Sequence, residues 1–335
     1  MNHTRSAHPH PKISTTVRAL IRRRRRTWET ESAPALAVTA ARVGMRALSR
    51  SSPDLASRWA ERMFLTARRH RQPSRERELL AGARELSVAV PGGSIPVWIL
   101  EPAGVIGWRP TVLFVHGWEG RGAQLGAIAQ AVLERGLRAV LFDAPGHGGA
   151  TAPRASVVEH ARAIALVGET LGPIHGLVAH SVGGAAALLA TRMGFSAARF
   201  ALLAPPVGPS RFIEGFRAQL QVEDDVYAGM VARIERRYGI RFDELDARSD
   251  AERLSSPLLV VHDEGDRVVP LADGAAIAAA APRADLRRTK GLGHTRILRD
   301  PDVVRSVADW AATGAPPTPF ESTLEGQLFA RGPQR

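Results

Sequence analysis

Ser181 stands in Leu177-Val178-Ala179-His180-Ser181-Val182-Gly183-Gly184, an apolar run that ends on a hydroxyl and continues into small residues. A strand that turns sharply into a helix at a nucleophilic serine needs small side chains two before and two after it, because larger ones would collide. Ala179 and Gly183 meet that need, although glycine is the usual residue at the first of the two positions. Taken alone, the pattern also fits a serine that merely caps a helix.

Two further segments strengthen the nucleophilic reading. Leu258-Leu259-Val260-Val261-His262 runs into Asp263-Glu264-Gly265-Asp266-Arg267-Val268-Val269-Pro270, which puts an acid in a loop beyond a strand end, 85 residues after Ser181. Asp266 is chosen over Asp263 and Glu264, since Asp263 directly follows His262 and belongs with the end of the strand. Gly291-Leu292-Gly293-His294 then presents a histidine in a glycine-rich loop, 28 residues further on. Serine, acid, histidine is the chain order of one serine-hydrolase architecture and not of the others. Upstream, Val112-Leu113-Phe114-Val115 leads into His116-Gly117-Trp118. There the backbone N–H of Trp118, with that of Val182, is placed to stabilise an oxyanion, and losing one such donor typically costs about 10²–10³ in rate.

These residues need elements to hold them. Leu86–Val90 and Ile95–Leu100 read as strands joined by Pro91-Gly92-Gly93. Thr111–Val115, Ala139–Phe142, Leu177–Ala179, Phe200–Leu203 and Leu258–Val261 are continuous apolar runs, as expected of strands buried on both faces. Gln124–Arg135, Val157–Leu171, Val182–Arg192 and Leu271–Ala281 are helical in pattern. The alternation predicts an α/β fold: a mostly parallel central sheet with helices on both faces and its site at the carboxyl ends of the strands. Residues 207–256 interrupt the alternation with a helical, charge-rich stretch, expected as a short cap over the site. Phe212, Phe216, Tyr227 and Met230 in that cap incline toward an apolar acyl group, although such a stripe more often packs than binds. Residues 33–80 are expected as an N-terminal helical extension broken at Pro53, ahead of a main domain over 81–313. A basic arm at 1–32 and a loose tail at 314–335 complete the organisation.

Composition sets the limits. The 335 residues include no cysteine, which removes disulfides, thiolate nucleophiles and cysteine-ligated metals. The net charge of +12 is concentrated: residues 1–75 hold 17 basic side chains against four acidic ones, and the remainder is close to neutral. Charge therefore concerns what the arm touches, whether phospholipid, nucleic acid or nothing at all. Glu29, Glu31 and Arg42 interrupt the apolar run that a secretory signal needs, and no stretch reaches the ~18 apolar residues of a membrane span, so a cytoplasmic protein is expected ahead of one with a twin-arginine export signal. The pairings His3/His8/His10 and His175/His180 lack metal-ligand spacing, and no metal is expected.

The chain resembles the α/β-hydrolase superfamily. The resemblance rests on His116-Gly117-Trp118 after its strand, on Phe142-Asp143-Ala144-Pro145-Gly146-His147-Gly148, on the turn at 179–183, on the run 266–270 and on His294, and it covers about residues 85–312. Within the superfamily the run His116-Gly117-Trp118-Glu119-Gly120-Arg121-Gly122-Ala123-Gln124 is similar to bacterial short-cap members. The resemblance implies a cofactor-independent hydrolase of carboxylic esters or thioesters, in which Ser181 attacks, His294 takes its proton and Asp266 orients His294. Ser181 argues against a haloalkane dehalogenase, which uses aspartate at that turn. The competing expectations are a vestigial binding protein of the same fold and a protein tethered to nucleic acid or membrane by its arm. His116 and Asp143 are expected to brace their loops, His147 and His180 to be structural, and Arg121 to be salt-bridged in preference to reading a substrate carboxylate.

Overall fold

The computed structural model describes residues 35–104 and 109–314; the expected arm at 1–32 and, Gly314 aside, the expected tail lie outside the described residues. Residues 41–335 cluster as one unit, and residues 1–40 as another, of which only the opening turns of one helix are described.

Eight strands form a single sheet in the order β1-β2-β4-β3-β5-β6-β7-β8. They are β1 (Arg84–Val90), β2 (Gly93–Leu100), β3 (Thr111–Val115), β4 (Arg138–Phe142), β5 (Ile174–His180), β6 (Ala197–Leu203), β7 (Leu258–Asp263) and β8 (Ala284–Thr289). The first two make the expected hairpin, β2 also pairs antiparallel with β4, and every other pairing is parallel. β3 is buried at all five positions and β7 at all six, which is why both read as unbroken apolar text. β8 was not legible that way. It is an edge strand that alternates between half-buried and exposed residues, with Arg287 and Arg288 turned to solvent, so no apolar run marks it.

Helices cover both faces of the sheet. On one face, α4 (Gly126–Leu133) and α12 (Pro301–Ala312) enclose a core with Val112, Phe114, Leu141, Val178, Leu203 and Val261. α5 (Val157–Leu171), α6 (Val182–Thr191) and α10 (Leu271–Ala280) complete the layers. The starts of α5 and α12 follow from their caps: Ser156 Oγ accepts the Glu159 N–H, and Asp300 accepts from Asp302 and Val303 ahead of Pro301 at the first helical position. Among the described residues no helix is long and apolar enough to cross a membrane.

The extension and the cap are packed against each other. α1 (Ala35–Ser51) gives way to α2 (Pro53–Phe64) where Ser52 caps and Pro53 begins the second helix. The insertion forms α7 (Ser210–Leu220), α8 (Asp224–Tyr238) and α9 (Ala247–Glu252). α8 buries Val226, Met230, Ile234 and Tyr238, a stripe at four-residue spacing. Its partner is α2, whose face of Ala56, Ser57, Ala60 and Glu61 is small enough for close approach: Ser57 Oγ donates to Val226 O at 3.1 Å, and Phe64 meets Phe216 edge-on. Glu61 receives Arg233 Nε at 3.0 Å and Arg237 Nε at 2.7 Å. The aromatic and aliphatic stripe of the cap is thus occupied by packing at Met230 and Phe216. At the other end of the insertion, buried Asp250 on α9 pairs with Arg192 just past α6.

Between α2 and the sheet, residues 65–80 run beside the loops at the strand ends and close with α3 (Ser74–Leu80), which the sequence did not announce as a separate helix. Ala155 N–H donates to Leu65 O, Arg69 donates to Ala150 O, and Arg121 donates both to His70 O and to Glu76. The Arg121–Glu76 pair is buried on both sides. Removing one member of such a pair leaves an uncompensated charge in the interior. Glu76→Ala is expected to lower the unfolding free energy by about 3–5 kcal/mol in urea titrations, whereas the double replacement Glu76→Leu/Arg121→Met should recover most of that loss. Equal destabilisation in the two variants would contradict the charge argument.

Candidate active site

Ser181 sits at the junction of β5 and α6 with φ 54° and ψ −130°, a backbone region that side chains other than glycine rarely adopt. Strain of this kind costs about 1–3 kcal/mol and persists only where the surroundings enforce it. Here Ser181 N–H is held by Leu203 O at 2.9 Å, and a Cβ at Gly183 would come within 2.5 Å of His116 O. The requirement for a small residue two after the serine is therefore steric contact with the β3 loop.

The chain brings Ser181, His294 and Asp266 together. Ser181 Oγ lies 3.0 Å from His294 Nε2, and His294 Nδ1 lies 2.7 Å from Asp266 Oδ2. A carboxylate only accepts, so the ring hydrogen is on Nδ1 and Nε2 carries the lone pair that faces the hydroxyl. The other two acids have different places. Asp263 ends β7 and accepts from Gly265 N–H, Thr289 Oγ1 and Leu292 N–H, which anchors the His294 loop; Glu264 is exposed. Asp266 also accepts the N–H groups of Val268 and Val269. Burial alone would raise its pKa, but the adjacent His262 imidazole and the bonds from His294 and the Val269 N–H outweigh this and hold it well below the usual carboxylate range.

His180, one residue before the serine, is buried. Its Nε2–H donates to the backbone carbonyl of His294 at 2.9 Å, and the two rings lie 4.7 Å apart. Burial pushes its pKa down to about 3, so it is a neutral tie on the His294 loop.

The loop after β3 is braced from several sides. His116 Nδ1–H donates to Gly117 O at 2.7 Å and its Nε2 accepts Ala144 N–H at 2.9 Å. Asp143 accepts Gly122 N–H and Gly149 N–H, each at 2.8 Å, and so ties the loops after β3 and β4 together. Gly148 has φ 44° and any Cβ there would overlap Asp143 Oδ2. Glu119 holds a left-handed conformation (φ 56°) and accepts Arg68 N–H at 3.3 Å. Among the described residues, the N–H groups of Trp118 and Val182 have no acceptor, and the Trp118 side chain stays 39% exposed. Arg121 is turned away from the serine into its pair with Glu76, so it is not available to read a substrate.

The fold also gathers residues that no local signature announced. His116, His147 and His160 are fully buried and mutually edge-to-face, with ring centroids 4.9–5.3 Å apart. Burial lowers the pKa of His147 to about 4 and of His160 to about 3, and holds His116 well below the ordinary imidazole value. Their separations of 31 and 13 residues along the chain resemble no ligand motif.

Residues 112–307 match the alpha/beta hydrolase family, and the chain belongs to it. No curated protein matches the sequence. Solved structures share the fold at low identity. An esterase from Exiguobacterium antarcticum superposes with a TM-score of 0.53 at 16% identity, covering 69% of this chain and 100% of its own. A carboxylesterase from Bacillus subtilis gives 0.53 at 14%, covering 78% and 99%. The esterase Est1E of Butyrivibrio proteoclasticus, solved with ferulic acid bound, gives 0.52 at 17%, covering 72% and 99%.

The buried imidazoles fix the sign of the acid response. A histidine whose folded pKa lies below its unfolded value of about 6.5 stays neutral in the native state, while the unfolded chain takes up its proton as the pH falls. The stability it supports is complete above about pH 6.5 and declines from there down to the folded pKa, by about 1.4 kcal/mol per pH unit for each such group. His116, His147, His160 and His180 all act in this direction. Urea midpoints are therefore expected to fall steeply between pH 6.5 and 4, with the slope reduced by one proton in His160→Gln. A flat stability profile over that range would contradict the buried, neutral assignment.

Proposed function

We propose that the protein is a serine hydrolase that cleaves small carboxylic esters or thioesters through an acyl-enzyme. The observation that carries this reading is the pair of hydrogen bonds linking Asp266, His294 and Ser181 at 2.7 and 3.0 Å. The depressed pKa of Asp266 keeps it a carboxylate at neutral pH, where it orients His294 and stabilises the imidazolium formed during turnover. Ser181 Oγ attacks the carbonyl carbon as His294 Nε2 takes its proton, and the negative charge on the carbonyl oxygen is met by the N–H groups of Trp118 and Val182. Collapse of that intermediate expels the alkoxide or thiolate, which leaves with the proton held on His294. Water, deprotonated by the same nitrogen, then releases the acid and restores Ser181.

Esters are favoured as substrates because the structural neighbours include proteins named as esterases. Thioesters follow from the same chemistry with a better leaving group. The reaction uses no cofactor.

Wild-type protein is expected to react with a fluorophosphonate probe and to hydrolyse p-nitrophenyl acetate or butyrate. Ser181→Ala should abolish labelling and lower kcat by about 10⁴–10⁶. Asp266→Asn, which permits the wrong histidine tautomer, should cost about 10⁴ in kcat with little change in fold. Absence of labelling in folded wild-type protein would overturn the proposal in favour of a binding protein built on the same scaffold.

A further inference from the structure

Behind the β3 loop lies a second cluster of chemically capable side chains, separate from the Ser181 hydrogen-bond relay. His116 follows β3, His147 lies in the loop after β4, and His160 is on α5. One ring nitrogen from each falls within 4.8 Å of the other two, and all three residues are fully buried.

Their hydrogen bonds decide which nitrogens carry lone pairs. His147 Nδ1 faces Pro145 O at 2.9 Å and His160 Nδ1 faces Ser156 O at 3.1 Å. Carbonyl oxygens only accept, so each Nδ1 carries the hydrogen and each Nε2 is left with a lone pair. Both Nε2 atoms are buried without a hydrogen-bond partner. An imidazole whose far N–H is fixed by a backbone carbonyl while its other nitrogen is bare is the arrangement of a metal ligand with its outer shell in place. His116 differs, because its Nδ1–H donates to Gly117 O and its Nε2 already accepts Ala144 N–H.

We propose that His147 and His160, joined by His116, form a buried site for a borderline-soft divalent cation, for which zinc is the best fit. Neutral imidazole nitrogen suits zinc, copper or nickel, whereas magnesium and calcium take oxygen ligands. Three imidazoles converging on one tetrahedral ion at about 2.0–2.1 Å set their ring centroids about 5 Å apart, which is the spacing of this cluster. The nitrogens must draw in to about 3.4 Å from one another for that geometry. His116 joins only by releasing Ala144 N–H, and a water or small anion completes the four ligands. Since His116 also holds the carbonyl of Gly117, next to Trp118, occupation of the site acts on the loop that packs against Ser181. Bound cation should therefore slow the hydrolase. This last consequence rests on the proposed activity, while the binding site does not.

The test is zinc binding by the full chain, read as equivalents retained against a chromophoric chelator. Wild type should hold one equivalent more than His147→Phe or His160→Phe, and Ser181→Ala and His294→Ala should hold as much as wild type. Magnesium should not compete. Zinc should raise the Tm of wild type by mass action and leave that of His160→Phe unchanged. Should both phenylalanine variants fail to fold, cobalt(II) added to wild type supplies the second reading: the intense visible absorption of a tetrahedral site supports the proposal, and a weak octahedral spectrum overturns it. Equal zinc equivalents in wild type and in the folded His147 and His160 variants would also overturn it. Loss of the equivalent in His294→Ala alone would assign the metal to the Ser181 relay and refute the buried site, whatever the outcome of the fluorophosphonate experiment.

Discussion

The left-handed turn at Ser181 is the constraint around which the neighbouring elements are arranged. A backbone that unfavourable must be held from both ends, by the Leu203 carbonyl below and by the His116 carbonyl pressed against Gly183. Holding it brings the β3 loop against the start of α6. That proximity leaves no room for a side chain at Gly117, where a Cβ would come within 2.9 Å of Ser181 Cβ. A single strained residue thus determines the spacing of three loops.

The loops are secured by polar contacts drawn from distant parts of the chain. Asp143 joins the loops after β3 and β4, His180 holds the His294 carbonyl, and Asp263 fixes the approach to His294 through three separate donors. In each case a buried acceptor or donor is matched, as a low-dielectric interior requires. The site is therefore held by satisfied hydrogen bonds on residues that make no hydrogen bond to the serine hydroxyl.

The residues that converge at the candidate site could be picked out of the sequence because each stands in a short, distinctive segment. The turn at Ser181, the loop carrying Asp266 and the glycine-flanked His294 each declare themselves within about eight residues. The interior strands are equally plain, since burial on both faces leaves only apolar text. What could not be read depends on partners remote in sequence or on half-exposed elements. β8 is a polar edge, α3 is too short for its periodicity to register, and the partner of Arg121 lies 45 residues upstream. The stripe on α8 was visible as a stripe, but nothing local states that it packs against α2 and not over a substrate. His116, His147 and His160 come from a strand end, a loop and a helix, so only the fold gathers them.

The junction of α2 with α8 bears on where this chain can be cut. Glu61 is clasped by Arg233 and Arg237, Ser57 reaches the backbone of α8, and Glu76 neutralises Arg121 beside the site. A chain begun at residue 81 would keep every strand of the sheet, yet it would strip the cover from Val226, Met230 and Ile234 and leave Arg121 without its counter-charge. The helices ahead of β1 are thus an outer wall of the protein's own interior, and trimming them as a disposable leader would yield a sticky, misassembled fragment instead of a minimal folded unit.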